Sequence, residues 1–244
     1  MRLADIYSES VHNNLRMYAA WPIDTPLNLG DFGTLHGKLF QRLGNLKKRY
    51  NIEVKSLSSN SSVHYDFKSA GMVETTMYAK GDLKIGGEIP LAKAGLEINF
   101  SGKNAVFFDA AGCNISIIEN KDKVFNEITK LYRRGMWDKK YTLITDIVRS
   151  ESARIFISNS QNASIFLEAQ SPEITVIDLA KANIGLRCAS EKNIGLNVIS
   201  TNGTTPLMKL GRIKDIIWPW QDPIFNQLAA KSNISEIIEM QAID

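Results

Sequence analysis

Between residues 141 and 212, apolar and polar positions alternate in short blocks that predict strands over 141–149, 153–158, 163–169, 174–179, 185–189 and 195–201. Polar clusters such as Asn159-Ser160-Gln161-Asn162 separate the blocks. Strand starts about ten residues apart predict an antiparallel meander or Greek key. Upstream, Leu96, Ile98 and Phe100 alternate with Glu97, Asn99 and Ser101, the pattern of a half-buried strand. The run 103–110, with Phe107-Phe108, adds another strand, and the pattern is β again from Val63.

Helical spacing appears in three places. Leu3, Ile6, Tyr7, Val11, Leu15 and Tyr18 recur at steps of three and four, predicting an amphipathic helix over 3–18 with His12 on its polar side. Pro22 would end it, because the residue before a proline is pushed out of the α region. A second helix is predicted over 120–134, capped by Asn120, with Val124, Phe125, Ile128, Leu131 and Tyr132 on one face and Gly135 as the stop. Asp222-Pro223 predicts a third, to about residue 230, followed by the apolar Ile234, Ile237, Ile238 and Ile243.

The segment 21–33 reads as an extended strand and a turn, and 35–46 fits either a short helix or a strand. The serine-rich run 56–62 predicts a mobile loop, and 80–90, with its glycines and Pro90, a loop or loosely held hairpin. The expected fold class is α+β. It comprises a twisted, mostly antiparallel β-sheet with an N-terminal amphipathic helix, one mid-chain helix and a C-terminal helix. A single domain over 1–244 is expected, with 222–244 a helical tail packed on the sheet.

Composition changes this picture little. Hydrophobic content of 44% and charged content of 23% suit a globular protein rather than a disordered one. A net charge of +3 is too small to imply nucleic-acid binding. No apolar leader opens the chain and no run of eighteen apolar residues occurs, so the expected location is cytoplasmic. Two cysteines, Cys113 and Cys188, lie far apart, as in a reduced chain.

Candidate chemistry is sparse. His12, His36 and His64 show no metal-ligand spacing and read as structural or surface residues. Cys113 sits in an apolar strand context and reads as an inert core residue. Gly30-Asp31-Phe32-Gly33 lacks the spacing of a phosphate loop, and Asp24 and Asp31 read as solvent-facing turn residues. Neither a metal nor a cofactor is expected, and an enzyme has the least support. Two basic groups stand out: Lys47, Lys48 and Arg49, and Lys130, Arg133, Arg134, Lys139 and Lys140. Tyr132, Trp137 and Tyr141 lie among them. The dipole at the end of the second helix accounts for part of the second group. The functional reading is an anionic surface, with membrane lipid favoured over nucleic acid; the plainer alternative is a solvated charged face over core aromatics.

Several short strings carry a resemblance. They are Pro22 and Pro26-Leu27 after the first helix, then Arg42-Leu43-Gly44-Asn45-Leu46. Much later come Leu143-Ile144-Thr145-Asp146-Ile147-Val148-Arg149-Ser150, Gly203-Thr204-Thr205-Pro206-Leu207 and Gly211-Arg212-Ile213. Their order resembles that of the bacterial gasdermins, a family of pore-forming cell-death proteins. The family's lipid-bearing cysteine near the N-terminus has no counterpart, since the first cysteine is Cys113.

The resemblance implies a non-enzymatic, membrane-acting pore-forming effector of bacterial defence. A C-terminal segment would hold it inactive until a protease removes it, and here Ile234, Ile237, Ile238 and Ile243 would form that segment. The implied partners are anionic membrane lipid and further copies of the chain, with relocation from the cytoplasm to the inner membrane. The segment 80–90 and the helix 120–134 would then be where membrane strands form. The alternative is a cytosolic protein-binding or structural β-sheet module with no membrane activity, using sheet edges with Trp218 and Trp220 exposed.

Overall fold

A computed structural model describes residues 2–23, 25–59, 61–79, 84–85, 89–90, 93–171, 173, 186–200, 203–214 and 224–227. The helices are α1 (Leu3–Leu15), α2 (Leu46–Tyr50) and α3 (Lys121–Arg133). The strands before α3 are β1 (Tyr18–Ala19), β2 (Asp31–His36), β3 (Leu39–Asn45), β4 (Ser56–Ser58), β5 (Val63–Lys68), β6 (Val73–Tyr78), β7 (Lys84–Ile85), β8 (Ile89–Pro90), β9 (Gly95–Phe100) and β10 (Val106–Ile118). After it come β11 (Thr142–Ser150), β12 (Ser152–Ser158), β13 (Ala163–Ala169), β14 (Leu186–Lys192), β15 (Ile194–Ser200), β16 (Thr204–Lys214) and β17 (Ile224–Gln227).

The 13-residue β10 organises these strands. Its first half pairs with β12 and its second half with β11, both antiparallel. Ala111 faces Ser152 and Asn114 faces Arg149, so the register runs through unbroken. The two partners are therefore one strand interrupted at Glu151, whose amide donates to the Ala111 carbonyl at 3.0 Å. Opposite this kink stands Gly112 with φ +60, a left-handed conformation that glycine adopts without penalty. On its other edge β10 pairs with β5 and then β4, with a register shift between Ala110 and Cys113.

Below the kink, β11 joins β2, β3, β1 and β16, and β16 returns to β11. This closed ring belongs to a mixed eleven-stranded sheet, because β1 runs parallel to β3 while pairing antiparallel with β16. Tyr18, Leu27, Phe40, Ile144, Ile147, Met208 and Leu210 form one core cluster there. Asp31 opens β2 fully buried, accepting from the Arg42 guanidinium at 2.8 Å, the Asn45 side-chain amide at 2.8 Å and the Asn28 backbone amide at 3.0 Å. One carboxylate thus fastens the incoming loop to the β2–β3 hairpin.

Above the kink, a four-stranded sheet in the order β14-β13-β9-β6 makes a sandwich. Leu96, Ile98, Phe100, Ile165 and Leu167 share a core with Phe107 and Phe156 of the larger sheet. The period-2 pattern of β9 sets this up by sending alternate residues to one face. Another core cluster seats α1 through Ile6, Tyr7 and Val11, with Tyr7 stacked on Phe108 at a centroid distance of 6.4 Å. Burial of a large apolar side chain is worth about 1.5–3 kcal/mol, so this contact, rather than helix propensity, holds α1.

Several expectations are corrected. The predicted meander or Greek key is not a plain meander: β11 and β12 both pair with β10, and among the described strands of that stretch the successive pair that bond to each other are β13 and β14. The predicted block 174–179 lies outside the described residues. In place of the C-terminal helix over 222–230, Ile224–Gln227 forms β17, paired antiparallel with β16; the remainder of 222–244 lies outside the described residues. The α1 helix stops at Leu15, where Arg16 takes φ 56, and Tyr18 begins a strand instead. The serine run supplies β4, bonded to β10. Asn120 makes no side-chain cap, because its amide group is committed to the backbone of Glu53 and Lys55. His12 is buried, with Nδ1 3.3 Å from the Met17 carbonyl oxygen, and Asp31 is a core anchor rather than a turn residue. The 35–46 ambiguity resolves as the β2–β3 hairpin, with Gly37 at φ +65 in its turn.

The kink makes a separable prediction. A Cβ on Gly112 would meet the Glu151 carboxylate oxygen at 2.4 Å and would sit at positive φ. Gly112→Ala should cost about 1–2 kcal/mol from the left-handed conformation, and more from the clash. In a Glu151→Ala background the clash part should vanish and the conformational part remain. Urea denaturation of the four chains reads both; equal penalties in the two backgrounds would show that the side chain can move aside freely.

Candidate basic-aromatic face

The two basic groups picked out from sequence meet on one aromatic cluster. The short helix α2 starts at Asn45, whose side chain accepts from the Lys47 amide at 3.0 Å, and it ends at Asn51 with φ 55. Leu46 is fully buried, which turns Lys47, Lys48 and Arg49 outward. Tyr50, closing the helix, lies 5.6 Å from the Phe32 ring and 5.9 Å from Trp137. The Arg49 guanidinium covers both Phe32 and Tyr50, at 5.8 and 5.7 Å from their centroids. Cation–π contacts of this exposed kind contribute about 0.5–1 kcal/mol.

Helix α3 buries Val124 and Ile128 in the same cluster. It ends in a Schellman motif: the Gly135 amide donates to the Tyr132 carbonyl and the Met136 amide to Leu131, both at 2.9 Å. Gly135 takes φ +69, so the predicted stop works through the left-handed conformation. The chain then dives inward with Trp137, which packs edge-on to Tyr141 at 5.4 Å and lies 5.1 Å from Phe32. The Tyr50 hydroxyl donates to the Met136 carbonyl at 3.0 Å and stitches α2 to this loop. Lys47, Lys48 and Arg49 thereby stand beside the loop that bears Arg134, Lys139 and Lys140.

All eight basic residues are exposed. Lys47 pairs with Glu53, Lys130 pairs with Glu127 at 2.8 Å, and Arg133 and Lys139 are also engaged by neighbours. Lys130 and Arg133 also occupy the last turn of α3, where the helix dipole favours cations. Of the two readings of the aromatics, the structure favours core residues beneath a solvated charged face. Trp137 is 2% exposed and cannot reach a headgroup or a base, so it serves as the anchor beneath the charges. Met136, 48% exposed, is the apolar side chain the loop offers instead. Phe32 and Tyr50 were missed as the bridge between the groups; their signal was an aromatic immediately beside each charged or glycine-bearing string. The tail residues Ile234, Ile237, Ile238 and Ile243 lie outside the described residues.

The residues weighed for enzyme chemistry do not gather. Asp31 and His36 stand at opposite ends of β2, and the cavity of about 430 Å³ beside His36 is lined neither by Asp31 nor by Cys113. Cys113 is buried in the α1 core, which pushes its thiol up to about 11. Among the described residues, no three His, Cys, Asp or Glu side chains are placed to hold a metal ion. One charged group was missed altogether: His64, Asp109 and Arg154, joined across β5, β10 and β12. Its signal was a single charge inside each of the apolar runs 106–111 and 153–157.

No family model matches the chain, and no curated protein matches it. Among solved structures, the chain is similar to a bacterial gasdermin from Bradyrhizobium tropiciagri. The TM-score is 0.40 and the identity 10%, over 91% of this chain and 90% of that one. The similarity thus runs nearly end to end.

Trp137→Ala should lower stability by about 3–5 kcal/mol, the cost of emptying a buried indole site. Lys140→Ala, nearby on the surface, should change it by less than about 0.5 kcal/mol. Thermal unfolding of both variants checks the assignment of anchor and charge; a neutral Trp137→Ala would contradict it.

Proposed function

We propose that this chain is a non-enzymatic, membrane-acting pore-forming effector of bacterial defence, held inactive by its C-terminal tail. The observation that carries the reading is the convergence of Lys47, Lys48, Arg49, Arg134, Lys139 and Lys140 around one rigid aromatic cluster, with Met136 exposed among them. Basic residues near an anionic leaflet are each worth about 1 kcal/mol, and an exposed methionine can enter the headgroup layer. The order of short strings shared with the bacterial gasdermins adds the pore-forming class to this surface. Anionic lipid and further copies of the chain are then the partners, a protease the activator, and the cytoplasmic face of the inner membrane the place of action.

The tail enters this scheme through β17. That strand lies on the last four residues of β16, next to α3. The proposed inhibitory segment follows β17 in sequence. Among the described residues no helix is long and apolar enough to cross a bilayer, which leaves strands as the spanning elements. Strand β9 has six residues and β13 seven, short of the roughly nine needed to span, so pore formation would require them to lengthen.

The rival reading is a protein-binding or structural sheet module without membrane activity. It draws on β6 and β14, the outer strands of the four-stranded sheet. Deleting the residues after Lys231 separates the two. The membrane reading expects the shortened chain to release dye from vesicles rich in anionic phospholipid and to be toxic on expression, while the full chain does neither. Tight vesicles in the presence of a folded, shortened chain would leave only the module.

A further inference from the structure

The His64–Asp109–Arg154 group lies at the mouth of the sandwich, far from the basic face in its wiring and untouched by the function above. Arg154 is 6% exposed and Asp109 5%. One Asp109 oxygen pairs with Arg154 Nη2, and the other lies 2.6 Å from His64 Nε2. Both carboxylate oxygens are therefore engaged, and the carboxylate is shared between two nitrogen donors. The second Arg154 nitrogen, Nη1, is buried and has no hydrogen-bond partner among the described residues. A buried guanidinium N–H without an acceptor is costly, about 1–3 kcal/mol or more, and native structures rarely leave one so.

Arg154 borders a cavity of about 220 Å³. Leu96 and Phe107 give this cavity an apolar floor, and Met77 and Lys68 stand at its edge. Lys68 Nζ donates to Thr75 Oγ1 at 2.7 Å and hovers 5.9 Å from the Phe107 ring, which fixes a second cation there. The space is several times the roughly 30 Å³ share of one water, yet below the size of a nucleotide or drug site. Its lining charges are Asp66, Asp109, Lys68 and Arg154, beside the His64 ring. Asp109 already serves Arg154, so the unmet demand is for an acceptor.

We propose that this cavity binds a small organic carboxylate, whose oxygens accept from Arg154 Nη1 and Lys68 Nζ while a short apolar body rests on Leu96 and Phe107. An apolar floor selects against inorganic phosphate, which would forfeit hydration there without a partner. The site sits between the two sheets, on β5, β10 and β12 of one and β6 and β9 of the other.

Isotope-labelled full-length chain titrated with propionate, and in parallel with inorganic phosphate, tests this. Propionate should shift the Arg154 side-chain and His64 ring resonances along a saturating curve, with a Kd of about 1 mM or tighter. Phosphate should leave them unmoved at the same concentrations. Removing Arg154 would strand Asp109 and endanger folding, so the blocking variant is Met77→Trp, placed at the exposed edge. It should keep the chain folded and abolish the propionate shift. No saturable shift with propionate, a shift that survives Met77→Trp, or phosphate binding as tightly as propionate would each overturn the proposal.

Discussion

The unbroken pairing of β10 with the β11–β12 strand is the constraint on which the rest depends. Every backbone group along a buried strand must find a partner, and β10 finds β12 and β11 along one edge and β5 and β4 along the other, across a bend. The bend is tolerated because Gly112 takes a left-handed conformation that is costly for other residues and has no Cβ to meet Glu151, while Glu151 and Gly203 absorb the turn on the partner side. One ladder therefore serves two cores. Its upper half forms the wall of a sandwich and the floor for α1; its lower half feeds a ring of strands closed by β16.

The basic face is a product of the lower half. Phe32 enters it from β2, Tyr50 from α2, Trp137 and Tyr141 from the loop after α3, and Leu143 from β11. None of these elements is long enough to be fixed by its own hydrogen bonds. Their mutual burial fixes them, and the charges ride on the outside of what the aromatics anchor. That arrangement gives a cationic surface with a rigid base, distinct from basic residues scattered along a mobile loop.

Much of the fold was legible because alternation is a local property. The strands β9 and β13 follow directly from their period-2 pattern, and the end of α3 from Gly135. Strand partners were not legible. Which edge β12 would take is set by β10, more than forty residues away, and no local pattern encodes that. Buried charge misled for the same reason: Asp31 looked like a turn residue until Arg42 and Asn45 came to it from the next strand. At Ile224–Gln227 a sound helix-start signal lost to the open edge of β16, a tertiary override of local preference. The basic groups themselves were visible in sequence, but the aromatic bridge that joins them was not.

The central claim is that the joined basic face is what meets an anionic membrane. Co-sedimentation with anionic vesicles, using the folded chain shortened after Lys231, tests it most directly when Lys48→Glu, Arg134→Glu and Lys140→Glu are combined. All three residues are exposed, so the fold should survive the change. The account predicts that vesicle binding weakens by at least about a hundredfold, at roughly 1 kcal/mol per basic residue lost. Unchanged binding in the triple variant would contradict it.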